Sequence, residues 1–195
     1  DDGKNIRRIM NIILKAKLKK DSINFKEFYE LNKINFTICA TNLNKNEPTF
    51  FNHKNTPNMC ITEAIMMSIC IPLLFKPIFY EGHYYVDGGL TNNYPINYFK
   101  NNKDTLGILI NNSFDDLEIN NLEDYLTSIL FCSNCKLIKD SYKQYKKNTI
   151  FIQNNFNFMN FSLSKEKKNE FIDIGYKTAN LFFENKNKIT TVIDK

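Results

Sequence analysis

The sequence predicts an α/β domain of the three-layer α/β/α kind, and three observations carry that reading. Short stretches with strand character recur along the chain, and between them lie longer stretches whose apolar residues repeat every three to four positions, the alternation that builds a sheet covered by helices. One strand-like stretch, Tyr84-Tyr85-Val86, runs into Asp87-Gly88-Gly89, which sets a carboxylate at a strand end, where functional groups of such sheets commonly sit. With 195 residues, of which 43% are apolar and 14% aromatic, the chain can bury a substantial core. No internal repeat, linker or boundary is visible, so residues 1–195 read as a single domain segment.

Taken in order, Ile6, Ile9, Met10, Ile13 and Leu18 fall on one side of a helix from about Asn5 to Lys19, with Arg7, Arg8, Lys15, Lys19 and Lys20 off that side. Such a helix can lie on a membrane, but the modest apolar face predicts packing on the sheet. Asp21 or Ser22 is positioned to cap a short helix carrying Phe25, Phe28 and Leu31. Ile34, Phe36, Ile38 and Ala40 alternate with polar neighbours as a strand does, and Thr41 to Glu47 then reads as a loop before a strand at Thr49 to Asn52. A helix from Ile61 should end at Pro72, which cannot extend the helical ladder. Lys76-Pro77 opens an extended segment, Glu81-Gly82 turns it, and the returning strand delivers Asp87.

Further on, Thr105 to Asn111 is nearly continuous in apolar residues, as in a strand buried on both faces. A long helix follows with Leu122, Leu126, Ile129, Leu130, Ser133 and Leu137 on one side, then a strand at Thr149 to Gln153. Asn154 to Asn157 reads as a loop. Ser164 caps a last helix with the stripe Phe171, Ile174, Gly175, Thr178, Ala179 and Phe182, in which Gly175 would allow close packing.

Composition narrows the function classes. A net charge of +5, almost all from lysine spread among 21 acidic residues, is no nucleic-acid footprint and implies at most a weak attraction to anionic lipid surfaces. The abundance of Asn, Lys, Ile and Phe reads as coding bias. No run approaches a membrane span or a secretory signal. Five cysteines in mostly apolar contexts do not form a disulfide framework, and Cys132-Ser-Asn-Cys135 lies in a helical pattern with no second pair, so it reads as two thiols rather than a metal or redox site. A reducing compartment fits, cytoplasmic or peripheral to membranes.

Ala64, Ser68, Pro72, Phe75 and Pro77, followed by Asp87-Gly88-Gly89 and then Asn93 and Pro95, form an ordered pattern that resembles the patatin-like phospholipase family. Cys39-Ala40-Thr41-Asn42 echoes the core strand of that family. The resemblance implies a serine acyl hydrolase acting on phospholipids or other acyl lipids through a Ser-Asp dyad, with Asp87 as general base and no metal or cofactor. It further implies that the nucleophile and oxyanion glycines lie upstream, because neither Gly-x-Ser-x-Gly nor Gly-x-Gly-x-x-Gly occurs here; the chain looks like the C-terminal part of a catalytic domain.

The residues themselves leave blander readings open. An Asp before two glycines is commonly a turn residue bonding its own backbone. Gly88 and Gly89 permit positive φ or a close backbone approach. Asn93 and Pro95 would shape the turn, and Ser68, four residues before Pro72, would support rather than attack. His53 and His83 read as surface residues. Ile71 to Phe75 with Met66 and Met67 could line an acyl pocket or belong to the core. Against the hydrolase stand two rivals: a non-catalytic lipid-binding module and a basic surface binder acting through Lys15 to Lys20.

Overall fold

A computed structural model describes residues 3–99, 104–112, 119–154 and 163–193. The chain divides into two compact units, 1–95 with 121–138, and 96–120 with 139–195. The elements in order are helix α1 (Lys4–Leu18), α2 (Phe25–Asn32), strands β1 (Ile38–Asn42) and β2 (Glu47–Phe51), α3 (Ile61–Ser68), β3 (Ile78–Tyr80), β4 (His83–Asp87), the single turn α4 (Gly89–Asn92), β5 (Gly107–Asn112), α5 (Leu122–Tyr145), β6 (Thr149–Asn154) and α6 (Lys165–Ile193). The mixed α/β class stands. Of the predicted loop at Asn154 to Asn157, Asn154 instead ends β6, where it pairs with Asn112, and the rest lies outside the described residues.

In the first unit four antiparallel strands form a sheet in the order β2-β1-β4-β3. β1 is central: Ile38 to Asn42 pair with Phe51 to Glu47 on one side, while Ala40, Thr41 and Asn42 pair with Asp87, Val86 and Tyr85 on the other. Strand pairing begins four residues later than the alternation predicts. The amide of Ile34 bonds Asn32 Oδ1 and the amide of Phe36 bonds the Ile34 carbonyl, so this stretch satisfies its backbone locally after Lys33 turns left-handed at φ 60°. The predicted loop is correspondingly shorter, because Thr41 and Asn42 continue the ladder and Asn42 Oδ1 then accepts the amides of Asn44 and Lys45 to start the turn.

The core of this unit gathers Ile23, Phe25, Ile38, Ala40, Phe51, Met59, Ile61, Ala64, Met67 and Tyr85. Helix α2 is capped by Asn24, not by Asp21 or Ser22. Asn24 Oδ1 accepts the Glu27 amide at 2.8 Å and the Glu27 carboxylate returns to the Asn24 amide, a reciprocal box that neither earlier residue supplies. Helix α3 ends at Ser68, before the proline. Ile69 leaves helical geometry, and Ile71, which precedes Pro72, is excluded from it by the proline ring. Helix α1 holds no buried residue and is tied to α3 by a two-pronged Arg7–Glu63 ion pair, with Leu14 and Leu18 reaching the core.

In the second unit β5 and β6 pair in parallel, Gly107 to Asn112 opposite Thr149 to Asn154. The expectation that β5 is buried on both faces fails: Leu109 is buried while Ile108 and Ile110 are exposed, the one-sided burial of a two-stranded sheet. Ser164 caps α6 as expected, its Oγ accepting the Lys167 amide at 3.2 Å. Gly175 does not serve close packing, because nothing lies within 4 Å of a Cβ built on it. Cys132 and Cys135 are exposed on α5. Among the described residues no helix is long and apolar enough to cross a membrane.

Candidate active site

Asp87 ends β4, and its backbone is held at both its amide and its carbonyl. Its amide donates to the Cys70 carbonyl at 2.8 Å, tying it to the segment that follows α3. Its carbonyl accepts the hydroxyl of Thr41, also at 2.8 Å, and Thr41 Oγ1 lies 2.9 Å from Thr91 Oγ1 on α4. Thr41 is fully buried, so its hydroxyl is a polar bridge between the strand end and the turn beyond it. Its Cα partner in the ladder is Val86, one residue before the aspartate.

The side chain is fixed as well. Asp87 Oδ1 accepts the Gly89 amide at 2.7 Å, an Asx-type turn that aims the carboxylate toward the start of α4. Among the described residues Oδ2 receives no hydrogen bond. Burial pushes the carboxyl above its ordinary value, and the Gly89 N–H offsets part of that rise.

The two glycines are required by space, not by left-handed backbone. Gly88 sits at φ −62°, a conformation open to any residue, but a Cβ there would stand 2.4 Å from the carbonyl oxygen of Cys39. A Cβ on Gly89 would meet the side-chain oxygens of Asn93 and Asp87, each at 2.9 Å. The turn is therefore pressed onto β1 on one side and closed by Asn93 on the other.

Around the carboxylate opens a cleft of about 420 Å³, within the first unit. Of the residues singled out in the sequence, Asp87, Gly88, Gly89, Asn93, Pro95 and Ser68 line it. Pro72 does not line it; its place is in the turn after α3. Met66 and Met67 are core residues, and Met66 and Phe75 face a separate space no larger than a single water. The apolar wall comes instead from Phe36 and Ile38 near β1 and from Ile65 and Ile69 at the end of α3. No sequence signal separated Ile65 and Ile69 from ordinary core residues, and the Cys39-Ala40-Thr41-Asn42 echo marked a strand without singling out Thr41.

Two thiols lie within the field of the same carboxylate. Cys39, on the cleft wall, has its pKa pushed up to about 11 by burial and then by the charge of Asp87, and Cys70 is raised by the same two causes. Cys70 also donates to the Lys76 carbonyl at 3.1 Å. Both shifts disfavour the thiolate and so work against a nucleophilic role for either residue. Neither histidine lines the cleft: His53 stacks on Tyr29 at 3.9 Å between ring centres, and His83 lies edge-on to Tyr85 at 6.5 Å.

The arrangement is thus one partly buried carboxylate with an unoccupied oxygen, set against apolar walls at a rigid strand end. It can accept a proton from a hydroxyl brought within hydrogen-bond reach. A family model described as patatin-like phospholipase matches residues 1–100. An uncharacterized protein of Acanthamoeba polyphaga mimivirus is 35% identical over 157 residues, which cover 74% of this chain and 53% of that protein. A probable lipid hydrolase of Invertebrate iridescent virus 6 is 34% identical over 94 residues, covering 48% of this chain and 32% of that protein. The chain spans about half the length of the first relative and a third of the second.

Proposed function

This chain belongs to the patatin-like phospholipase family, and we propose that it carries the general base of a lipid acyl hydrolase that cleaves carboxylic esters through a Ser-Asp dyad. The observation that carries the reading is Asp87 itself, with Oδ1 fixed by the Gly89 amide and Oδ2 left to face a cleft walled by Phe36, Ile38, Ile65 and Ile69. The nucleophilic serine and the oxyanion donors are supplied by polypeptide outside these 195 residues. Asp87 takes the serine proton as its oxygen attacks the ester carbonyl. The resulting carboxylic acid returns that proton to the departing alkoxide, leaving an acyl-enzyme. Water then attacks the acyl carbon with Asp87 again as base, and the proton passes to the serine as the fatty acid leaves.

An ordinary carboxylate is a weak base at neutral pH. Burial improves it by destabilising the charged form, which brings the proton affinity closer to the working pH. The same apolar walls accept an acyl chain, and a cleft of about 420 Å³ suits part of a lipid rather than a polymer. One relative is described as a probable lipid hydrolase, which supports this substrate class.

The test is Asp87→Asn in the full-length protein, assayed on a short-chain ester and on phospholipid vesicles. Loss of kcat by about 10²-fold to 10⁴-fold is expected, with Oδ1 of the new amide keeping the Gly89 bond. Near-normal turnover would overturn the assignment, and lipid binding without turnover in the wild type would support a non-catalytic binding module instead. The pH dependence has a definite sign. Because the folded pKa of Asp87 lies above its ordinary 3.8, activity falls as pH drops through that raised value. The burial penalty on the charged form sets in as pH rises above that ordinary value and is complete above the raised one. Asp87→Asn should therefore stabilise the fold at neutral pH, and the difference should vanish below the ordinary aspartate value.

A further inference from the structure

We propose that α1 is a docking surface for an anionic phospholipid bilayer. Three observations converge on this helix. Ile9, Ile12 and Ile13 are 56%, 58% and 49% exposed and, with Ala16, form one stripe at helical spacing that no described element covers. Beside the stripe a shallow groove of about 340 Å³ is lined by Lys4, Arg7, Arg8, Asn11, Ile12, Lys15 and Asp21. Lys4, Arg8, Lys15 and, just past the helix end, Lys19 share one side of the wheel. The helix contains no acidic residue at all.

Charge decides the occupant. A protein partner fitted to an apolar stripe alone would not need a neighbouring band of cations, whereas a bilayer bearing anionic headgroups offers both layers at matching depth: acyl chains for the isoleucines and phosphates for the lysines and Arg8. The counter-charges facing the band are few among the described residues. Asp21 bonds Lys15 at 3.0 Å on an exposed rim, and Glu63 is committed to Arg7 on the opposite side, toward α3. That second pair gives docking a use. Glu63 anchors α1 to α3, and two to six residues further along the chain Ile65, Ser68 and Ile69 line the cleft around Asp87. A bilayer seated on α1 is thereby coupled through one short helix to the wall of the site.

Vesicle flotation of the full-length protein tests this without relying on catalysis, so its outcome is independent of the role of Asp87. Binding to phosphatidylcholine vesicles containing about 30% phosphatidylserine is expected, with a drop of tenfold or more on pure phosphatidylcholine or in about 0.5 M salt. Ile9→Ser with Ile12→Ser and Ile13→Ser should abolish binding while far-UV circular dichroism is unchanged. Arg8→Gln and Lys15→Gln should each weaken it about fivefold. Ile13→Trp supplies a direct probe, whose added emission should shift to the blue and be quenched by brominated acyl chains. The proposal is overturned if the triple variant binds as wild type does, if neutral and anionic vesicles bind alike, or if the Trp is already shielded in buffer and indifferent to vesicles. The last result would mean that another part of the polypeptide, or a second copy, covers the stripe.

Discussion

Strands β1 and β5 are similar in length and both were expected to be core strands, yet the chain treats them differently. β1 has a neighbour on each edge and buries four of its five residues, Ile38, Ala40, Thr41 and Asn42. β5 has one partner among the described residues and buries Leu109 at 2% exposure while Ile108 stands at 62%. A strand fixed on both edges leaves its neighbours no slack, so a turn pressed against it inherits its position. The Asp87 turn is such a neighbour. The comparison teaches that precision at this site is borrowed from a strand some forty residues earlier in sequence.

Substitutions that add or remove single groups sharpen the contrast. The largest effect is expected from Gly88→Ala, whose methyl would collide with the Cys39 carbonyl. The turn must lift off β1, at a cost of about 1–3 kcal/mol, and kcat should fall about 10²-fold as Asp87 moves; urea denaturation and steady-state kinetics read both. Unchanged kinetics would mean the contact does not position the base. Thr41→Val keeps the shape but removes the bridge to the Asp87 carbonyl and Thr91. A loss of about 1 kcal/mol and a smaller fall in kcat than in Gly88→Ala are expected, with KM little changed and Thr41→Ser restoring most of both. Gly175→Ala lies at the other extreme. With open space around it and no left-handed backbone to relieve, the methyl should stabilise α6 by about 0.5–1 kcal/mol. A thermal shift in the opposite direction would show that this face of α6 is covered.

These pairs also mark what the sequence could and could not disclose. Asp87 at a strand end was legible because β-formers, an acidic residue and two glycines are adjacent in the chain. The need for small residues after it was legible too, but not its cause, since the obstructing carbonyl belongs to Cys39 and sequence spacing carries no trace of that approach. Asn24 was overlooked in favour of Asp21 and Ser22 although Glu27 stands three residues after it, the spacing of a reciprocal cap. Ile34 and Phe36 alternate as a strand does, and a left-handed Lys33 with an Asn32 side-chain bond diverts them. The apolar run of β5 looked doubly buried because hydrophobicity alone cannot say how many neighbours a strand will have.

Asp87 donates its amide to Cys70, gives its carbonyl to Thr41 and anchors one carboxylate oxygen on Gly89. Rotation about its φ, ψ and side-chain bonds is thus spent during folding, long before a hydroxyl arrives. In the proposed role of general base this matters more for a carboxylate than for an imidazole, since a weak acceptor gains little from each encounter and has no margin to search for its partner. The entropy of aiming is settled once, when the chain folds, and under the proposed mechanism no turnover has to supply it again.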